Sequence, residues 1–158
     1  SLSSRVGVML TGEIRQLGRP EEVFSSPATE EVARFVGVET LLPGEVIDQK
    51  EGLATVVVKG INIRVASERG PGEEVLACLR PEDVTLSWVE DPPFHSSARN
   101  QLLGSVTRLT PLGFLVRVSL DCGFPLQALV TKHACAELGL QEGKKVVASF
   151  KATAVHLI

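Results

Sequence analysis

Three short stretches of this chain gather the residue types that hold a small anion. Ser97-Ala98-Arg99-Asn100 puts a hydroxyl, a guanidinium and an amide within four residues, just ahead of a strand start. Thr131-Lys132 offers a hydroxyl and an ammonium at the head of a short helical stretch, whose free N–H groups also favour negative charge. Lys151-Ala152-Thr153 adds another ammonium and hydroxyl where one strand breaks before the next, and the small Ala152 lets an oxygen approach the backbone N–H groups. A desolvated dianion asks for this mixture: one or two cations for charge, several neutral donors for geometry. At ~1.5–3 kcal/mol per charge-assisted hydrogen bond, four to six of them outweigh ordering and desolvation and reach the roughly 8 kcal/mol of micromolar binding. Taken singly and on composition alone, Arg99 and Lys151 read more readily as solvated charges, Ser97 and Thr131 as caps and Asn100 as a turn former. The elements that position them must decide.

Composition narrows the alternatives. In 158 residues, sixteen Lys+Arg stand against nineteen Asp+Glu for a net charge of −3, so an anion is held here by local geometry and a nucleic-acid partner is not expected. With no Tyr, one Trp and six Phe, platforms for stacked bases are also missing. No G-x-x-x-x-G-K-[ST], G-x-S-x-G or H-E-x-x-H occurs, and His95, His133 and His156 are too scattered for a metal cluster, so neither an enzyme nor a metal site is expected. Cys78, Cys122 and Cys135 lack C-x-x-C spacing and read as reduced thiols that serve as small core hydrophobes. No apolar run reaches the ~18 residues of a membrane span and nothing resembles a signal peptide, which points to a soluble cytoplasmic chain. The start at Ser1 without Met reads as a piece of something longer.

The elements follow from patterning. Residues 5–17 read as a hairpin, with Val6, Val8 and Leu10 alternating and Thr11-Gly12 turning. Pro20-Glu21-Glu22 opens one short helix; a second is expected from Ser26 as cap and Pro27 at its first position, with Val32, Phe35 and Val36 as its stripe and Gly37 as its stop. From Leu41 onward short β-branched runs separated by Gly, Pro and Asp give strands at 44–47, 54–58, 61–65, 75–79, 85–89, 103–107, 114–120, 126–131, 145–150 and 154–158, with a helical turn at 132–138. That is the pattern of a β-barrel or sandwich.

An internal repeat organises these strands. Gly72-x-x-Val75-x-Ala77-x-x-Arg80-x-x-x-Val84-x-Leu86 aligns without gaps on Gly143-x-x-Val146-x-Ala148-x-x-Lys151-x-x-x-Val155-x-Leu157, a shift of 71 residues. Upstream, Thr40-Leu41-Leu42-x-Gly44-x-Val46 answers Asn100-Gln101-Leu102-Leu103-Gly104-x-Val106 at a shift of 60, so the second copy is longer by 71 − 60 = 11 residues. The expected place for them is the 132–138 helix. Two similar lobes result, joined by the polar stretch 90–96.

Three groups of motifs resemble one family. Ser97-Ala98-Arg99-Asn100-Gln101-Leu102, Gly104-x-Val106, Thr131 with Leu138-Gly139-Leu140-x-x-Gly143-x-x-Val146, and Phe150-Lys151-Ala152-Thr153-Ala154-Val155 resemble the molybdate-binding Mop (molbindin-like) module. Leu79-Arg80-Pro81-Glu82-Asp83-Val84 is similar to the signature of the first half of the regulatory TOBE domain, and residues 5–37 look like the end of an ABC importer ATPase domain. The resemblance implies a mainly β chain with two small OB-like barrel lobes in tandem: a remnant of the ATPase domain over 1–37, a first TOBE lobe over 38–90 and a second TOBE/Mop lobe over 91–158. It also implies molybdate or tungstate as bound ligand and no cofactor of this chain's own. The implied partners are a second copy meeting through the regulatory domains and a membrane permease reached through an ATPase domain. Bound oxyanion would hold the transporter inactive.

Carried over residue by residue, Ser97, Arg99, Thr131 and Lys151 match oxyanion-binding positions, with Ala98 and Ala152 at backbone contacts; Asn100, Lys132 and Thr153 join the expected oxyanion site as donors within the same three stretches. Family members often have Ser where this chain has Ala134. Two function classes stand: a sensing domain for molybdate or tungstate, and a dimerisation scaffold in an importer of sulfate, iron or sugar.

Overall fold

The computed structural model describes residues 5–35, 37–93, 97 and 100–158. Its hairpin pairs β1 (Val6–Leu10) with β2 (Glu13–Gly18) through Thr11 and Gly12, at φ 51° and 78°, the two-residue turn whose twist suits a hairpin. α1 (Pro20–Ser25) starts on Pro20 as expected. The second helix departs from expectation. α2 spans Glu30–Phe35, and its cap is Thr29, whose Oγ1 accepts from the Val32 N–H at 3.2 Å. Ser26, biased out of the helical region because it precedes Pro27, closes α1 instead, its N–H donating to the Glu22 carbonyl. Gly37, at φ 90°, follows α2. Val36 lies outside the described residues.

The short β-branched runs then form two sheets on one plan. The first copy contributes β3 (Thr40–Lys50), β4 (Leu53–Val58), β5 (Ile61–Ala66), β6 (Glu74–Leu79), a 3-10 turn at Pro81–Asp83 and β7 (Thr85–Trp88). The second contributes β8 (Asn100–Leu112), β9 (Leu115–Asp121), β10 (Pro125–Thr131), α3 (Lys132–Glu137), β11 (Lys145–Phe150), a 3-10 turn at Ala152–Ala154 and β12 (His156–Leu157). Both long strands begin earlier and end later than their apolar cores suggest, and the expected strand over 154–158 shrinks to two residues behind its turn. The repeat is exact at its irregular points: each long strand bulges at the same place, between Val46 and Asp48 and between Val106 and Arg108. Gly44 and Gly104 also match. A Cβ on Gly44 would meet the Val57 carbonyl at 2.8 Å, and one on Gly104 would meet the Cys122 sulfur at 2.6 Å.

The eleven extra residues are shared between two places. Ten residues separate Val46 from its partner Val56 but fourteen separate Val106 from Leu120, so four of them lengthen the β8–β9 hairpin. The balance falls between β9 and β11, where α3 sits.

The sheets do not divide where the repeat does. Strand order is β12-β6-β3-β4-β5 in one and β10-β9-β8-β11-β7 in the other, so each copy gives its last strand to its neighbour's sheet. The 3-10 turns make the crossing; in the first copy Pro81, which has no N–H to extend a ladder, ends β6 and starts the turn. One apolar cluster consequently runs from Leu42 to Leu157 through both copies. Burial pushes the Cys78 thiol up to about 12 and the Cys122 thiol up to about 11, so both remain protonated core groups. Among the described residues no helix is long and apolar enough to cross a membrane.

Candidate functional site

The two 3-10 turns occupy equivalent places and face a common pair of clefts. Arg80 and Lys151, one residue before each turn, have nearly the same extended backbone, φ/ψ −85°/142° and −75°/147°. Their surroundings differ. The Arg80 Nε donates to the Phe24 carbonyl at 2.9 Å, and its guanidinium lies 3.5 Å from Glu82. Lys151 forms no ion pair with any described residue. Behind Arg80 come Glu82 and Asp83; behind Lys151 come buried Ala152 and exposed Thr153, which carry no charge.

One cleft, of about 420 Å³, contains Ser97, Ser149, Lys151 and Thr85, with Glu82 and Asp83 on its wall. The adjoining cleft, of about 310 Å³, contains Lys151 and Thr153 with Arg80, Asp83 and His156. Lys151 therefore borders both. The Asp83 carboxyl is held above its ordinary value, first by burial and then by the charge of Glu82, against the pull of Arg80. The His156 Nε2 lies 2.8 Å from the Pro27 carbonyl, so Arg80 and His156 tie residues 24–27 to the rim of the second cleft. Among the described residues no group of His, Cys, Asp and Glu is arranged to hold a metal ion.

The expected donors separate into three sets. Ser97 and Lys151 share the larger cleft, and Lys151 and Thr153 share the smaller. Thr131 caps α3, its Oγ1 accepting from the Ala134 N–H at 3.0 Å with its own proton still to donate; neither it nor exposed Lys132 borders either cleft. Ala98 and Arg99 lie outside the described residues.

Asn100 is a correction. Its side chain is 3% exposed and its amide is already occupied: Oδ1 accepts from the Arg64 N–H at 2.7 Å, and Nδ2 donates to the Arg64 carbonyl at 2.9 Å and faces the Phe150 carbonyl at 3.5 Å. Arg64 lies on β5, the outermost strand of its sheet, so the amide closes a free strand edge. The equivalent residue of the first copy does the same in reverse, as the Thr40 Oγ1 accepts from the Gln127 N–H on β10, the outer strand of the other sheet, at 3.2 Å. No amide donor remains at Asn100 for an anion. Sequence reasoning passed over Ser149, whose only signal was a hydroxyl inside the apolar run 146–150.

Residues 96–157 match the TOBE domain family. Over 99% of its length the chain is 39% identical to the molybdate/tungstate import ATP-binding protein WtpC of Pyrococcus horikoshii, 43% of which it covers. It is 33% identical over 75% of its length to the spermidine/putrescine import ATP-binding protein PotA of Nitratidesulfovibrio vulgaris, covering 33% of that protein. The chain thus spans less than half the length of these relatives. Among solved structures it is similar to the cytoplasmic molybdate-binding protein ModG with molybdate bound, at a TM-score of 0.65 and 26% identity, over 76% of this chain and 95% of that one.

Proposed function

We propose that this chain, which carries a TOBE domain over residues 96–157 and is related to importer ATP-binding subunits along nearly its whole length, is an oxyanion-sensing regulatory unit. Its ligand is a tetrahedral dianion, molybdate or tungstate, and its setting is the cytoplasmic side of an ABC importer whose permease it reaches through an ATPase domain. The carrying observation is the divergence of the two equivalent turns: one keeps a lysine without an ion pair among the described residues, a buried alanine and a hydroxyl, while the other pairs its arginine and carries two acids. Lys151 and Arg99 supply the charge; Ser97, Thr131, Thr153 and the backbone at Ala98 and Ala152 supply neutral donors. Thr131 and Lys132 lie away from both Lys151 clefts, which supports a pocket completed by a second copy across a two-fold axis. Anion binding then favours the dimer by mass action, the route by which accumulated oxyanion would restrain uptake. The sequence holds no nucleotide-binding motif, and no catalytic role is assigned to this chain.

A scaffold role in an importer of another substrate is the second reading, favoured by the occupied amide of Asn100 and the two acids at the cleft. Calorimetric titration with molybdate, tungstate and sulfate separates the two, with sedimentation run in parallel with and without molybdate. Sensing requires saturable binding that Lys151→Ala removes. Absence of binding to all three anions leaves the scaffold.

A further inference from the structure

We propose that Ser149 is an additional donor to the oxyanion, at the floor of the cleft shared by Ser97 and Lys151, and that its fixed depth ranks tetrahedral dianions by size. This rests on the oxyanion-sensing reading above.

Ser149 is 3% exposed, and its Oγ has no hydrogen-bond partner among the described residues. An unpaired buried hydroxyl is costly, and few such groups occur in a folded chain without a reason. Its neighbours on β11 explain its direction. Val146, Ala148 and Phe150 are buried in the common core, so by strand alternation Ser149 faces the opposite side of the sheet. The backbone stays extended through Lys151, which places the two side chains two residues apart on one face. That face is the cleft, where Ser149 and Lys151 stand with Ser97, Thr85, Pro93, Glu82 and Asp83.

Position is what makes this hydroxyl selective. β11 is paired on both sides, Ser149 opposite Thr85 of β7 and Gln101 of β8, so its Cα cannot advance toward a ligand. The side chain is left with χ1 alone, so the hydroxyl meets the anion only by a change among its three staggered wells and not by an advance of the backbone. A donor held at a set depth reaches the oxygen of an anion with long metal–oxygen bonds and falls short of the smaller sulfate held by the same lysine. The bound oxygen accepts from Oγ–H, and the penalty of the unpaired hydroxyl is relieved only in the complex.

The test compares wild type with Ser149→Ala by calorimetric titration of sodium molybdate and sodium sulfate, with thermal melts in the absence and presence of molybdate and circular dichroism to verify the fold. The variant is expected to bind molybdate at least about tenfold more weakly, a loss of ~1.4 kcal/mol or more, and sulfate within about twofold of wild type. Its melting temperature without anion should equal or exceed that of wild type, because an unpaired group has been removed. Unchanged molybdate affinity overturns the assignment. So does a lower anion-free melting temperature with equal losses for both anions, which marks a structural hydroxyl; equal losses at unchanged stability overturn the size ranking. Wild-type protein that binds neither anion refutes the sensing reading itself, a result visible before any variant is made.

Discussion

Replacing Asn100 by alanine tests whether this residue is a ligand or a fastener. The substitution removes an acceptor at 2.7 Å and a donor at 2.9 Å from the free edge of β5, leaving the Arg64 N–H and carbonyl without their partners. Each neutral bond is worth about 1 kcal/mol net, and the part-buried setting lets water replace only some of what is lost, so about 2–3 kcal/mol of stability should disappear. For a chain of this size that corresponds to a drop of roughly 5–10 °C in melting temperature. Urea denaturation measures the free energy, and amide exchange at Arg64 locates it, since that N–H should lose protection before its neighbours on β4 do. Thr40→Val is the internal control: it removes one bond at 3.2 Å with little change of shape and should cost about 1 kcal/mol. Asn100→Asp should be worse than Asn100→Ala, as it turns a second acceptor toward the Arg64 carbonyl. A loss below about 0.5 kcal/mol with unchanged exchange at Arg64, accompanied by a tenfold weaker oxyanion affinity, would refute this reasoning and restore Asn100 as a ligand.

Further outcomes are expected from the same structure. Arg99→Ala and Lys151→Ala should each abolish oxyanion binding in calorimetry while circular dichroism stays native, because a dianion out of water with one cation removed is left uncompensated. Asp83→Asn should tighten oxyanion binding several-fold by removing a negative charge from the cleft wall, and unchanged affinity would show that the anion does not sit there. The same variant bears on pH: the raised carboxyl binds its proton more firmly in the folded chain, so its contribution to stability falls as pH rises from the unfolded value of 3.8 through the raised one, and Asp83→Asn should flatten that part of a melting-temperature profile. Gly104→Ala should cost about 1–3 kcal/mol in urea denaturation, since its Cβ would meet the Cys122 sulfur at 2.6 Å in a packed core. Truncation after Glu90 should leave a chain without cooperative melting, having lost β12 from its first sheet and the Asn100 fastener from β5.

Local structure was legible wherever one residue type settles the backbone. Thr11-Gly12 dictated the hairpin turn and Pro20 the start of α1, and the repeat foretold two copies of one plan but not the bulge each long strand carries. The exchange of β7 and β12 was not legible, because Leu86 and Leu157 bury themselves equally well in either sheet and the sequence records only that they are buried. Ser26 misled for a related reason: a residue that can cap a helix can also end the previous one, and Pro27 decides between them through backbone sterics. Asn100 misled because an amide that can donate to an anion can also bond a strand edge, and the choice rests on a partner 36 residues away. Ser149 carries the converse lesson. A hydroxyl in an apolar run looks like a tolerated strand residue until its burial and missing partner are both known.

Duplication explains how one architecture carries two different turns. After the leading cation each turn buries one compact residue, Pro81 or Ala152, and the same frame carries different residues at the next two positions. In the first copy those positions are acids, and the leading arginine is drawn to the Phe24 carbonyl, where it fastens the N-terminal helices together with His156 at Pro27. In the second copy they are uncharged, and the leading lysine is left without an ion pair among the described residues. Because the exchanged strands bring both turns to one pair of clefts, Lys151 and the Arg80–His156 fastening border the same space. An anion bound beside Lys151 would therefore share that cleft with Arg80 and Asp83, and its influence on them would weaken with added salt because Lys151 and Asp83 are exposed. The exchange of strands, rather than any single residue, is what places Lys151 in the same cleft as Arg80 and His156, the two residues that hold the N-terminal segment.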